Sequence, residues 1–311
     1  MLAYLRLFRI SNVFTVVADV TAGFVLVHGM LAPIPGYLGI LLASCLLYTS
    51  GMILNDVFDI EVDREERPQR PLPSGAISLT KARILGFLFL LLGVALAIAT
   101  SFLVGDANTG LRTTLWSICL AAAIIGYDAG LKRTPFGPIA MGSCRTFNFL
   151  MAMSLVDGEG LWDIPAAGVA LAVGIGIYVA GITLFARTEA KTSNRTMLTG
   201  GALVMLLGLA IVGSMNYVDD SFSAQLPEGQ GWFWPGLLTL IGATIGRRAV
   251  FAISDPSPAS VQRTVKQALL SLIVFDACVL LFARPNEPYY AIFVLTLLAP
   301  TLWLGRWIRS T

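Results

Sequence analysis

The sequence predicts an all-α fold, a polytopic bundle of nine or ten membrane-spanning helices. Three observations predict it. Hydrophobic residues make up 56% of the 311 and charged residues only 13%, about half the charge of a soluble domain. The mean hydropathy is +0.76. Apolar runs of about 17–25 residues, the length that crosses a hydrocarbon core, cover nearly the whole chain. They are continuous rather than alternating, which argues against a β-barrel. A water-soluble enzyme, a disordered chain and a secreted disulfide scaffold are excluded. The net charge of +2 is too mild for a nucleic-acid binder.

The first run, near 13–31, follows Arg6 and Arg9. It resembles a signal peptide but lacks a small-residue cleavage site and is long enough to span, so it reads as a retained helix. The second, near 36–54, ends in an acidic segment. The third, near 84–104, follows Ser78, a candidate helix cap. Further spans fall near 112–130, 137–155, 165–186, 197–217 and 233–253. The last two, near 267–283 and 289–305, are separated only by Arg284-Pro-Asn-Glu-Pro288 and read as a helical hairpin. With no soluble stretch between them, residues 1–311 read as one integral membrane domain.

Orientation follows the basic residues. All of the 21 Lys and Arg residues except Arg112, Arg145 and Arg284 fall in loops on one side or at the termini. That side is expected to be cytoplasmic, in the inner (plasma) membrane. Arg112 and Arg284 are expected in the opposite loops, and Arg145 inside a span. The single histidine, His28, excludes His-based triads and His-rich metal sites. Cys45, Cys119, Cys144 and Cys278 lie in apolar runs without a CxxC pair, as buried small hydrophobes do.

The second span ends in Leu54-Asn55-Asp56-Val57-Phe58-Asp59-Ile60-Glu61-Val62-Asp63-Arg64. Asn55, Asp59 and Asp63 are four apart, so a continuing helix stacks them on one face, with Asp56 on the neighbouring edge. Stacked carboxylates repel unless a cation lies between them, and hard oxygen ligands suit Mg²⁺, which often bridges to substrate phosphates. A solvated helix end is the plain alternative, but negative charge at a helix C-terminus is unfavourable. The loop continues Arg67-Pro68-Gln69-Arg70-Pro71-Leu72-Pro73-Ser74-Gly75. Three prolines stiffen it, and Arg67 and Arg70 beside carboxylates suit a diphosphate; topology alone also explains arginines there.

After the fourth span comes Tyr127-Asp128-Ala129-Gly130-Leu131-Lys132-Arg133. Lys132 and Arg133 are candidates to neutralise phosphate oxygens, and Tyr127 to donate to one or to anchor the interface. After the sixth comes Ala186-Arg187-Thr188-Glu189-Ala190-Lys191 within a loop at 186–196, four helices after the Asn/Asp loop. A four-helix internal repeat would set the two loops across one cavity. Arg187 would contact phosphate or pair with Glu189. Within the spans Asp19, Arg145 and Asp276 need partners or water. Asp19 with Arg145 would balance charge, while Arg145 and Asn148 share a helical face, as cavity lining or as a structural pair.

Taken together, these residues resemble the UbiA superfamily of intramembrane prenyltransferases. The match is Asn55-Asp56-x-x-Asp59-x-x-x-Asp63-Arg64, then Arg70-Pro71-Leu72-Pro73-Ser74-Gly75, then Tyr127 through Lys132-Arg133. The first motif sits in a loop at 55–83. The resemblance implies a helical bundle with a diphosphate site under cytoplasmic loops, moving an isoprenyl group from a prenyl diphosphate to an aromatic or other lipophilic acceptor. It places Mg²⁺ on Asn55, Asp59 and Asp63, with Asp56 adjacent, and diphosphate on Arg67, Lys132 and Arg133. One departure is large: where the family carries a second Asp-rich motif, this chain has only Glu189 as an acid, the candidate ligand for a second metal. The phrase Ile182-Thr183-Leu184-Phe185-Ala186-Arg187-Thr188-Glu189, with Gly137-Pro138-Ile139-Ala140-Met141-Gly142-Ser143-Cys144-Arg145, looks like the EboC-like branch, linked to metabolite export clusters. Two alternatives stand beside catalysis: a non-catalytic isoprenoid-diphosphate or lipid-binding subunit of such an export system, with partner proteins, and a secondary transporter.

Overall fold

The computed structural model describes residues 2–158, 160, 162–187, 193–219, 222 and 231–307. All regular structure among them is helical. A short α1 (Leu2–Leu7) precedes α2 (Ile10–His28) and α3 (Ile34–Phe58). Then come α4 (Ile60–Glu66), α5 (Leu79–Val104), α6 (Ala107–Ala129) and, after a 3₁₀ turn at Leu131–Arg133, α7 (Gly137–Met153). The second half holds α8 (Ala166–Ala186), α9 (Arg195–Gly213), α10 (Met215–Val218), α11 (Phe233–Ser254), α12 (Pro258–Ala283), α13 (Tyr289–Thr296) and α14 (Leu298–Trp307).

Nine candidate spans lie among the described residues: α2, α3, α5, α6, α8, α9, α11, α12 and α13 with α14. The expected tenth is α7, whose 17 residues lie at the short limit for a crossing. Several helices run past their apolar stretch. α5 starts at Leu79 on a Ser78 cap that accepts from the Lys81 N–H at 3.4 Å. α12 starts at Pro258 rather than near 267 because its first turns carry Gln262, Arg263 and Lys266, which hydropathy alone reads as loop. Pro258 suits a first turn, where its missing N–H is not needed. The last span breaks at Leu297, where Pro300 removes a helical hydrogen bond and crowds the preceding turn.

Small residues set the closest packing. A Cβ added at Gly174 or Gly208 would run into the other's helix backbone, and Gly181 and Gly201 likewise press α8 against α9. Without a hydrophobic drive between helices in lipid, such close backbone approach is what holds them. Exposed Leu91, Leu103, Leu207 and Ile292 face outward, as a bilayer solvent requires.

Arg112 departs from its expected place in a loop. It lies inside α6, fully buried, and donates to the Val156 carbonyl at 2.9 Å and the Gly158 carbonyl at 3.1 Å. The carbonyls beyond α7 need donors, and Arg112 supplies them.

Candidate active site

The Asn/Asp segment keeps its register through a kink. Asp59 sits between α3 and α4 at φ −95°, ψ 9°. The helical ladder nevertheless runs on: Asp59 N–H to Asn55 O at 3.0 Å, Asp63 N–H to Asp59 O at 2.8 Å and Arg67 N–H to Asp63 O at 2.9 Å. Asn55, Asp59 and Asp63 therefore stay stacked. The proline loop after them is pinned by Leu72 and Ile77, which bury against Leu7, Ile53, Val57, Ile60 and Ala82. Its turn closes with Ile77 N–H to Pro71 O at 3.1 Å and with Gly75 at φ 74°, a left-handed conformation that favours glycine.

Cations reach each of these aspartates from separate elements. Arg70 Nη1 lies 2.7 Å from Asp63 Oδ2 and 3.4 Å from Asp56 Oδ1. Arg9 Nη2 meets the same Asp56 oxygen at 2.9 Å. Arg9 adopts a left-handed backbone, φ 47°, ψ 47°, between α1 and α2. Such a conformation costs a non-glycine residue about 1–2 kcal/mol, against which stands the part-buried ion pair with Asp56. Lys132 Nζ lies 2.7 Å from Asp59 Oδ2 and 3.9 Å from Asp128 Oδ1. Arg133 Nη2 approaches Asp59 Oδ1 at 3.6 Å, with 64% of its side chain exposed. Asn55 Nδ2 donates to Asp128 Oδ1 at 2.9 Å, tying α3 to α6.

The result is one layer in which Asp56, Asp59, Asp63 and Asp128 alternate with Arg9, Arg70, Lys132 and Arg133. Arg187, at the end of α8, donates to the Thr134 carbonyl at 3.1 Å, beside the turn that carries Lys132 and Arg133. Arg67 makes no ion pair among the described residues and is half-buried. Tyr127 is half-buried at the end of α6. Glu189 lies outside the described residues. Sequence reasoning missed Arg9, read only for topology, and Asp128, passed over for its neighbour Tyr127. Asp128 had a signal: it stands four residues before Lys132, the spacing at which opposite charges pair.

Oxygen donors here fit a divalent ion that a substrate completes. Among the described residues no three acidic, His or Cys side chains form a cage by themselves. Yet Asp59 and Asp128 both turn toward one cation, the Lys132 ammonium, with the Asn55 amide beside them. Mg²⁺ characteristically takes one or two carboxylates and fills its shell from water and substrate phosphates. Asp63, by contrast, is committed to Arg70 and only 4% of its side chain is exposed.

Beneath the Lys132 turn, Cys119, Leu131, Phe136, Ile139 and Phe147 line an apolar groove of about 370 Å³ between α6 and α7.

The sequence profile of the UbiA prenyltransferase family matches residues 16–273. The chain belongs to the UbiA prenyltransferase family. A digeranylgeranylglyceryl phosphate synthase of Methanoculleus marisnigri is 30% identical over 301 residues, covering 88% of this chain and 95% of that one. One from Sulfurisphaera tokodaii is 39% identical over 97 residues, 31% of this chain and 34% of its own. The UbiA fold is shared with solved structures. A digeranylgeranylglyceryl phosphate synthase superposes with a TM-score of 0.62 at 18% identity, covering 93% of this chain and 98% of that one. A UbiA homologue from Archaeoglobus fulgidus bound to DMAPP and Mg²⁺ gives 0.58 at 14% identity, covering 85% and 97%.

Proposed function

We propose that this UbiA chain is an integral membrane enzyme that moves a prenyl group from a prenyl diphosphate to a lipophilic acceptor, with Mg²⁺ at the Asn/Asp layer. The observation that carries this reading is the alternation of four aspartates with four basic side chains at one end of the bundle. A diphosphate would offer the cations better partners, and the carboxylates would then be free to hold a divalent ion.

In this reading Asn55, Asp59 and Asp128 would hold the metal, with Asp63 available to it wherever Arg70 pairs with phosphate instead. Asp56 keeps Arg9 and Arg70 oriented. Arg9, Arg70, Lys132 and Arg133 stabilise the oxygens of the leaving group as negative charge builds on them; preorganised cations in a water-poor site are strong stabilisers. Arg67, Tyr127 and Arg187 line the entrance for phosphate. Glu189 is the candidate for a second metal. Bound Mg²⁺ would add charge withdrawal from the leaving diphosphate. The groove between α6 and α7 suits the isoprenoid tail. The basic end faces the cytoplasm, on the positive-inside rule, in the plasma membrane. The named relatives make a digeranylgeranylglyceryl phosphate, so a glyceryl lipid is the first acceptor to try.

The test is diphosphate release by the protein in lipid nanodiscs, given geranylgeranyl diphosphate, a mono-geranylgeranylglyceryl lipid and Mg²⁺. Release should require Mg²⁺ and fall at least 100-fold in Asp59→Ala, the size seen when one preorganised electrostatic stabiliser is removed. Release that persists in Asp59→Ala, or without divalent ion, sinks the proposal. A second reading is a diphosphate binder of the EboC-like kind serving an export assembly. It is favoured by the 186–196 loop, whose one acid is Glu189. It is recognised by Mg²⁺-dependent affinity without release.

A further inference from the structure

A second concentration of positive charge stands apart from the Asn/Asp layer. Arg247 and Arg248 on α11 and Arg263 and Lys266 on α12 are all exposed. None of the four makes an ion pair among the described residues. They lie at the same end of the bundle as the layer. Arg195, opening α9, donates to the Ser254 carbonyl that closes α11 at 3.1 Å, and the Ser193 N–H donates to the Pro256 carbonyl at 3.0 Å. α11 packs mainly on α9 and α12, away from the α3 and α6 ends that carry the layer.

These cations border a formed pocket. Thr244, Arg247, Arg248 and Phe251 recur at steps of three and four, so they share one face of α11. With Gln267 of α12 they line a pocket of about 330 Å³. Arg247 Cζ lies 5.9 Å from the centre of the Phe251 ring, which steadies the guanidinium against it. Thr264 Oγ1 lies 3.4 Å from the Arg248 carbonyl oxygen and ties the two helices together beside the pocket. Arg263 stands one turn before Gln267 on the same face of α12.

The charge there is uncompensated. α9 and α11 contain no Asp or Glu, and the one acid of α12, Asp276, lies ten residues beyond Lys266, about 15 Å along the helix. Asp255, in the turn between α11 and α12, accepts from the Ser257 hydroxyl at 3.0 Å. The surroundings are apolar. Leu240, one turn from Thr244 on the same face, is 64% exposed, and Val250 and Phe251 are exposed too. α12 changes character at the pocket: Gln262, Arg263, Lys266 and Gln267 give way to Ala268-Leu269-Leu270. The pocket therefore lies where the headgroups of a bilayer meet its hydrocarbon. A free anion would use the arginines and leave the exposed Leu240 without a partner; a lipid anion uses both.

We propose that α11 and α12 hold the headgroup phosphate of an anionic membrane lipid. Arg247 and Arg248 pair with the phosphate oxygens through their N–H donors. Thr244 and Gln267 donate to the remaining headgroup oxygens, and an acyl chain runs along Leu240. Basic pockets between spans take acidic headgroups in this way. The positive-inside rule alone asks for cations on this side and requires neither a pocket nor cations on facing sides of two helices. The site stands whether or not the Asn/Asp layer performs prenyl transfer.

The experiment releases the full chain from nanodiscs of equal phosphatidylglycerol and phosphatidylcholine and identifies the retained lipid by native mass spectrometry. Phosphatidylglycerol should be retained about tenfold over phosphatidylcholine. One arginine near an acidic headgroup is worth about fivefold, so Arg248→Gln should cut the preference by about that factor, and Arg247→Gln with Arg248→Gln should erase it. Lys81→Gln with Arg83→Gln removes the same charge from exposed positions at the start of α5 and should leave the preference within twofold. Excess inorganic phosphate should not displace the lipid. Unfolding in phosphatidylcholine alone should be alike in all four proteins; if the double arginine variant unfolds early, Arg248→Gln carries the test. Absence of a preference in the wild type overturns the proposal. Equal losses in the two double variants overturn it in favour of diffuse attraction to the basic end, and displacement by inorganic phosphate overturns it in favour of a site for a free anion.

Discussion

The two polar layers of this bundle neutralise their charge in opposite ways. In the upper layer four aspartates meet four cations, Arg70 and Lys132 each serving two of them, and the cations come from loops, turns and helix ends: Arg9, Arg70, Lys132 and Arg133. In the lower layer, deeper in the bundle, Asp19 on α2 lies 2.7 Å from Arg145 on α7, Asp276 on α12 is buried with no ion pair among the described residues, and all three sit within helices. Cations on short connecting segments can leave one partner for another when an anion arrives. A charge set on packed helices has no such freedom. The same residue types therefore form shared pairs on short connecting segments at one end of the bundle and a fixed charge set within its helices.

The largest effect should follow removal of the one cation of the lower layer. Arg145→Ala leaves two carboxyl groups buried without a counter-charge, a change that costs about 3–5 kcal/mol when one partner of a buried pair is lost. Thermal unfolding in detergent should show it. Replacing Asp19 and Arg145 together by leucine should cost less than Arg145→Ala alone, because paired removal leaves fewer stranded charges. If the single substitution unfolds like the wild type, the lower layer is not electrostatically coupled.

Next in size is Asp128→Ala in the upper layer. It strips the shared partner of Asn55 and Lys132. The turnover of the proposed reaction should fall about 100-fold, with the Mg²⁺ concentration for half-maximal rate raised. A fall in rate with an unchanged Mg²⁺ requirement would remove Asp128 from the metal site and leave it as the anchor of Lys132.

Much of the upper layer was legible in the sequence, and the reason is local. Asn55, Asp59 and Asp63 share a face by helical spacing alone, and the kink at Asp59 leaves the hydrogen-bond ladder intact. The spans were legible because lipid demands long apolar runs. Their ends were not, because helices such as α12 extend into polar residues that hydropathy reads as loop. Arg9 was illegible for a different reason: its role depends on a left-handed backbone and on an aspartate 47 residues away. The partnership of Asp19 with Arg145 followed from charge balance.

Arg70→Lys tests whether geometry or charge matters in the upper layer. One guanidinium nitrogen of Arg70 bridges Asp56 and Asp63 with only 10% of the side chain exposed. Lysine keeps the charge and loses the planar fork, so a stability loss of about 1–2 kcal/mol is expected, the size of hydrogen bonds to charged groups. A neutral result would mean that a point charge suffices there.

The smallest effect should come from Arg64→Ala, one residue from Asp63. Arg64 Nη1 lies 2.8 Å from Glu61 Oε1, a shorter contact than Arg9 makes with Asp56, but the two side chains are 55% and 79% exposed. Water already solvates both groups, so the pair is worth about 0–1 kcal/mol and screens away in salt. Arg64→Ala should leave the unfolding temperature within about one degree of the wild type, a shift of a few tenths of a kcal/mol in a chain of this size. Diphosphate affinity should stay within twofold. A marked loss of affinity would show that the phosphate-binding surface extends past the Arg70 bridge to the outer face of α4. The layer would then continue as an open basic slope instead of ending at its buried pairs.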